Sequence, residues 1–246
     1  MKALPDAPRF YTRQNLTVGV TLALEDAVAR HMLAALRLKT GAAVRLFNGE
    51  GGEYLAEVAH AGRRDVSVAV LQFSDVERES PLPITLALCV SRGDRMDYAL
   101  QKSTELGVTR IVPLFSERTE LRLAGERLEK KLRHWEQVVI SACEQCGRNR
   151  LPTLETPLSL ADWIAQADCA LKLVLHHRGD QGLVGRQRPD SVCLLIGPEG
   201  GLAGAEIEQA LEAGFTPLTL GPRVLRTETA PVAAISLLQH LWGDYT

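Results

Sequence analysis

Long apolar runs are missing from this chain of 246 residues. None approaches the roughly 18 to 20 consecutive apolar residues that span a bilayer, so no membrane partner is expected. The start, MKALPDAPRFYTRQN, lacks the apolar core of a signal peptide, and a cytoplasmic location is expected. A dominant charge sign is also missing: the formal net charge is −2, which excludes a generic polyanion binder. Aromatic residues are scarce, at 5%. Neither GxGxxG nor GK[ST] occurs, so the two common phosphate-cradling signatures are absent. Cysteine is sparse and odd in number, with five residues. Cys89, Cys169 and Cys193 sit in or beside apolar runs and are expected as small core side chains. Cys143 and Cys146 form a lone CxxC on a helical pattern without a second pair or a nearby His, a weak signal for zinc or redox chemistry. No metal is expected.

What is present is 46% hydrophobic residues and well-spread charge, the balance of a globular chain. The charge is uneven along it. Residues 1–80 hold ten basic and ten acidic side chains; residues 81–150 hold twelve and nine; residues 151–246 hold six and eleven. A nucleic-acid contact would therefore come from a local patch, chiefly in the middle segment.

Two periodicities divide the chain. Residues 27–38, AVARHMLAALRL, space apolar residues as a helix does, and AAVRLFN, YLAEVAH and VSVAVLQF read as strands parted by glycine-rich turns. ERESPLP, with its charges and two prolines, reads as a linker. After it come short apolar runs without polar alternation: ITLALCV, RIVPLF, ALKLVL, VCLLI and TPLTL. Helical patterns lie between them, at DYALQKSTELG, at roughly 126–146 and at ETAPVAAISLLQHLW. Such alternation predicts a parallel sheet covered on both faces. The expected division is a small β domain at 1–74, a linker at 75–83 and an α/β domain at 84–246.

Ligands of α/β domains gather beyond the carboxyl ends of the strands. Three such ends stand out: LVLHHRG (173–179), LLIGPEGG (194–201) and LTLGPRVLRTETA (218–230). The second spends three glycines where a plain turn needs one. Pro198 removes a backbone donor, and Glu199 opposes a phosphate. The third repeats the style with a Gly-Pro, two arginines, an acid and a Thr at a helix start. One ligand held by both loops, neutral or cationic near Glu199, fits this pattern. A sulfonium methyl donor suits it better than a dinucleotide does.

IGPEGG, LGPRVLRTETA, QKSTELGV and the EQCGR helix end together resemble the ribosomal RNA small-subunit methyltransferase E family, of the SPOUT class of knotted methyltransferases. PRFY (8–11), HMLAALRLKTG (31–41) and LFNGEGGEY (46–54) are similar to its small PUA-like RNA-binding domain. The resemblance implies an α/β SPOUT-type domain with a C-terminal trefoil knot, preceded by a small PUA-like β-barrel. It implies S-adenosylmethionine as donor and N3 of one uridine in 16S rRNA as acceptor. It also implies a homodimer that acts on 16S rRNA or the assembled small ribosomal subunit. The nearest rival is a SPOUT ribose 2′-O-methyltransferase, whose final loop would be rich in Asn and Ser. A nucleotide-dependent oxidoreductase and a non-enzymatic RNA-binding protein are the rivals of other classes.

Carried onto this sequence, the resemblance implies donor-binding positions at Leu175 and His176, at Gly197, Pro198, Glu199, Gly200 and Gly201, and at Leu220, Gly221, Val224, Leu225, Arg226, Glu228, Thr229 and Ala230. Main-chain groups of Gly197, Gly201, Leu220 and Leu225 are expected to hold the adenine and ribose. Because uridine N3 carries a proton near neutral pH, methyl transfer needs a base or a stabilised anion. Arg226 and Arg118 are the expected stabilisers and Glu199 and Glu228 the nearest acids, with Glu199 favoured as a loop partner. Arg9, Arg37, Arg92, Lys102, Arg118 and Arg148 are the expected RNA contacts. The helix after GPEGG starts at Ala203 and Gly204 without a side-chain cap, and Glu206 and Glu208 are expected to offset that through the helix dipole.

Overall fold

A computed structural model describes residues 4–176, 183 and 185–245. The chain forms two compact units: Met1–Glu79 with Cys143–Leu151, and Ser80–Ala142 with Pro152–Thr246. The break between Glu79 and Ser80 lies inside the expected linker. The return of residues 143–151 to the first unit corrects the expected assignment of 84–246 to a single domain. The cause is a polar cluster that sequence spacing does not reveal, described below.

In the first unit, β1 (Arg9–Tyr11), β2 (Thr21–Ala23), β3 (Ala43–Phe47), β4 (Glu53–Ala61) and β5 (Val66–Ser74) pair in the order β1-β3-β4-β5-β2. The β1–β3 pair is parallel and the others are antiparallel. Alternation does the sorting: Val44 and Leu46 on β3, and Val66, Val68 and Val70 on β5, face the core with Phe10 and Met32. The expected helix over 27–38 is shorter. It runs as α1 (Asp26–Arg30) and continues as a π-helical turn, His31–Ala35. Arg37 then takes a left-handed backbone, φ 52°, which stops a helix.

The second unit carries β6 (Ile84–Cys89), α2 (Asp94–Glu105), β7 (Arg110–Phe115), α3 (Gly125–Cys146), β8 (Thr153–Leu154), β9 (Leu158–Ser159), α4 (Leu160–Gln166), β10 (Leu171–Leu175), β11 (Val192–Ile196), α5 (Gly204–Glu212), β12 (Thr216–Leu218) and α6 (Thr229–Trp242). The last turn of α3 counts with the first unit. The sheet order is β12-β10-β11-β6-β7-β8, with β9 also on β7. Every pair in it is parallel. The central strand β11 is buried at all five positions, as a strand covered on both faces must be. Leu86, Leu88, Leu194 and Ile196 pack with Trp135 on one side of the sheet. Ala87, Cys89, Cys193 and Leu195 pack with Trp163 and Phe215 on the other.

Cys169 and Cys193 were expected as separate core thiols. The structure joins them in a disulfide with Cα atoms 5.7 Å apart. The parallel register sets Lys172 beside Cys193, which brings the start of β10 to β11 across 24 residues of chain. Cys143 is buried and free, and burial pushes its thiol up to about 12. A thiol that stays protonated at neutral pH is a poor nucleophile and a poor metal ligand. Among the described residues no cluster of three or more His, Cys, Asp or Glu side chains could hold a metal ion. No helix among them is long and apolar enough to cross a membrane.

Candidate functional site

β10, β11 and β12 are neighbours in a parallel sheet, so their carboxyl ends open on one side. The three loops singled out in the sequence leave from those ends. Between them lies a cavity of about 530 Å³, inside the range typical of small-molecule sites. Leu175 and His176 line it from the first loop, Gly197 to Leu202 from the second, and Thr219 to Glu228 (Pro222 apart) with Ala230 from the third. Of the expected donor-binding positions, only Thr229 does not line it. Residues 177–179 of the first loop lie outside the described residues. Arg95, Ile196, Leu202, Ile207 and Thr219 line the cavity without any sign of it in the sequence.

The glycines of the second loop have two separate reasons. Gly201 has φ +69°, a backbone that a side chain strains. A Cβ on Gly197 would lie 3.0 Å from Leu202 Cγ and 3.1 Å from Leu202 N, so the chain folds back on itself there. The loop is also held from outside. Arg118 Nη1 donates to the Gly200 carbonyl at 3.0 Å. Glu206, the third residue of α5, accepts from Ala203 N at 2.8 Å and from Glu117 N at 2.8 Å. Ala203 has no side-chain acceptor, so this is half of a capping box, and it links the loop after β7 to the start of α5.

Glu199 lines the cavity and also has protein partners. Its Oε1 accepts from Arg95 Nη1 at 3.2 Å and from Arg92 N at 3.4 Å. The N-cap of α2 is Gly93, which offers no side-chain cap, and a carboxylate beside that end suits the helix dipole. Glu199 thus latches the second loop to the start of α2. The sequence alone suggests a cationic ligand beside this carboxylate; in the structure Arg95 already answers its charge. If the latch positions the loop, a double-mutant cycle with Arg95→Ala and Glu199→Ala will show coupling of about 0.5–1 kcal/mol in donor binding, the range of a half-exposed pair. Isothermal calorimetry measures it, and zero coupling would remove the latch from the site.

Glu228 differs. It lines the same cavity, and its Oε2 is shielded from solvent with no hydrogen-bond partner among the described residues. The Arg226 carbonyl accepts from Thr229 N and Ala230 N, both at 2.9 Å, which winds residues 226–230 into one turn at the start of α6. Arg226 itself is exposed and makes no ion pair among the described residues.

The expected RNA contacts divide in two. Arg37 and Arg118 are exposed; Arg92 is exposed and pairs with Glu120 at 2.9 Å; Lys102 is half-buried and pairs with Glu105 at 2.8 Å. Arg9 and Arg148 are placed differently, and their expected role is corrected here. The Arg9 side chain is 6% exposed, with Nε 3.2 Å from Glu53 Oε2, an ion pair whose angle falls outside hydrogen-bond geometry. Its other nitrogens donate to the Cys143 carbonyl at 3.0 Å, the Arg148 carbonyl at 3.1 Å and Asn149 Oδ1 at 2.6 Å. Arg148 Nε donates to Glu79 Oε1 at 2.9 Å and Nη2 pairs with Glu79 Oε2. Burial opposes the Arg148 charge, but the Glu79 carboxylate more than offsets it and holds the guanidinium above its ordinary value. These arginines close the first unit around residues 143–151. Their side chains face protein, not solvent.

The chain matches the RNA methyltransferase domain family over residues 78–239 and the RNA methyltransferase PUA domain family over residues 24–71. It is 35% identical over 241 residues to Ribosomal RNA small subunit methyltransferase E of Buchnera aphidicola from Schizaphis graminum, covering 96% of this chain and 97% of the relative. The Bacillus subtilis protein of the same name is 27% identical, covering 93% of each. Among solved structures, that of a Ribosomal RNA small subunit methyltransferase E from Neisseria gonorrhoeae, bound to S-adenosyl methionine, superposes with a TM-score of 0.91 at 41% identity, covering 98% of this chain and 100% of that one. A Legionella pneumophila structure, solved with the bound cofactor SAM, reaches a TM-score of 0.96 at 40% identity, again covering 98% and 100%. The second unit's parallel sheet with helices is thus an α/β methyltransferase fold, the first is PUA-like, and the chain belongs to the ribosomal RNA small subunit methyltransferase E family of RNA methyltransferases.

Proposed function

We propose that this chain transfers the methyl group of S-adenosylmethionine to N3 of one uridine in 16S rRNA. Within this reading it works in the cytoplasm as a homodimer on the assembled small subunit, its C-terminal loops are tied in a trefoil knot, and its PUA-like unit closes as a barrel. The single observation that carries the reading is the cavity at the ends of β10, β11 and β12. Glycine backbone lines it together with Glu228 and Arg226, neither of which has an ion-pair partner among the described residues.

The cavity suits the donor. Its volume admits a nucleoside-sized molecule, and the glycine loop offers main-chain groups without side chains in the way. Gly197, Gly201, Leu220 and Leu225 hold the adenine and ribose. The bound donor supplies an electrophilic methyl group on a sulfonium. Arg226 and Arg118 offset the negative charge that develops on the uracil carbonyl oxygens as N3 loses its proton. Arg37, Arg92, Lys102 and Arg118 contact RNA phosphates, so binding weakens as salt rises. The near-neutral chain gains specificity from folded RNA, not from charge alone.

The test is methylation of small subunits that lack the modification, followed by nucleoside digestion and mass spectrometry. A base-methylated uridine is the expected product. A 2′-O-methyl ribose, or no product, would sink the reading.

A further inference from the structure

We infer that Glu228 is the general base that takes the N3 proton of the target uridine, an inference that rests on the function proposed above. Two carboxylates line the cavity, Glu199 and Glu228. Glu199 already accepts from Arg95 and from the Arg92 backbone. Glu206, the nearest acid outside the lining, spends one oxygen on Ala203 N and the other on Glu117 N. The Glu228 carboxylate makes no hydrogen bond or ion pair among the described residues, and its Oε2 is shielded from solvent, so a ligand in the cavity meets this carboxylate at its other oxygen. A carboxylate left partly dry and without a protein donor calls for a partner from elsewhere. A ligand can bring that donor, and the N3–H of a flipped uracil is one.

The geometry of the third loop agrees. Residues 226–230 form one turn through the two bonds to the Arg226 carbonyl. Arg226 and Glu228 therefore line the cavity from the same turn, a cation for the uracil oxygens and an acceptor for the proton. The step balances. The N3–H bond breaks and its proton passes to the Glu228 carboxylate. The electron pair left on N3 forms the bond to the methyl carbon. The S–CH3 bond breaks with its pair remaining on sulfur, which ends as the neutral thioether of S-adenosylhomocysteine. Glu228 finishes protonated and returns that proton to solvent after release.

The experiment uses the full-length chain, unmodified small subunits, and the variants Glu228→Gln and Glu228→Asp. Donor binding is measured by calorimetry and methylation by single turnover. Glutamine keeps the shape and loses the basicity. The Gln variant is expected to bind donor within about threefold of the parent and to methylate about 10²-fold or more slowly, the usual weight of a general base. The Asp variant is expected to fall between them. A second substrate sharpens the test: subunits assembled from RNA transcribed with 5-fluorouridine carry a more acidic N3. The defect of the Gln variant should shrink on them by tenfold or more, because the proton leaves with less help. A Gln variant within tenfold of the parent overturns the inference, as does a defect equal on both substrates. Loss of donor binding in both variants overturns it in favour of a donor-binding or structural role. If the parent protein itself makes no N3-methyluridine, the proposed function fails; if parent and Gln variant both make it at similar rates, only Glu228 is released.

Discussion

Replacing Arg226 with alanine is expected to lower the methylation rate at saturating donor by about 10² to 10³, the loss seen when one preorganised donor to a developing oxyanion is removed. The cause is charge. Once N3 is deprotonated, the negative charge is shared by the two uracil carbonyl oxygens, and a buried anion next to no cation is costly. Arg226 lines the cavity and is exposed, without an ion pair among the described residues. It is therefore available to a ligand without first breaking a protein contact. Arg118 is less available, since Nη1 already holds the Gly200 carbonyl. Its removal should weaken the second loop as well as the RNA contact. The two variants separate by their pattern. Arg226→Ala should leave donor affinity near the parent value and lower the rate; Arg118→Ala should weaken donor affinity too. Calorimetry with S-adenosylmethionine and single-turnover methylation of small subunits give both numbers. A rate for Arg226→Ala within threefold of the parent would take Arg226 out of the chemistry.

The parallel sheet was legible because burial on both faces leaves continuous apolar runs. VCLLI became β11, buried throughout, and RIVPLF became β7 with the expected ends. β8 and β9, of two residues each, and the seven-residue α4 are too short for any period to show. The site was legible where it consists of backbone. The glycines of 197–201 and the turn before α6 leave marks in the sequence because only certain residues tolerate those conformations. It was illegible where it consists of side chains meeting across the fold. Arg95 reaches Glu199 across 104 residues of chain, and no local signal distinguishes it from a solvated arginine. The same blindness misassigned Arg9 and Arg148. Arginine is mostly exposed, and the carboxylates that make these two exceptions lie 44 and 69 positions away. Glu199 teaches a sharper lesson. Its presence in a glycine-rich loop argues against a phosphate, yet its own charge is answered by Arg95, and the cavity-lining carboxylate without a partner among the described residues is Glu228.

Arg148→Ala is expected to destabilise the first unit by about 3–5 kcal/mol, the cost of breaking one side of a buried ion pair. The Arg148 side chain is 4% exposed and that of Glu79 15%. Without the guanidinium, the Glu79 carboxylate is left in a poorly solvated place and loses both of these hydrogen bonds. The damage spreads, because the segment is held by several ties. The Arg148 carbonyl accepts from Arg9, and Asn149 accepts from Arg9 and donates to the Val76 carbonyl at 2.7 Å. Native-state hydrogen exchange resolves the loss by region, and amides of β1 and of residues 143–151 should lose protection first. The combined change Glu79→Leu with Arg148→Met should cost less than Arg148→Ala alone, because no charge is left unpaired. RNA binding gives the independent check. A phosphate contact contributes about one unit to the slope of log affinity against log salt. At a temperature where the variant stays folded, Arg148→Ala should keep the parent slope, whereas Arg92→Ala should lose about one unit. A slope that falls by one in Arg148→Ala would mean that the buried pair opens to RNA, and would restore this arginine to the binding surface.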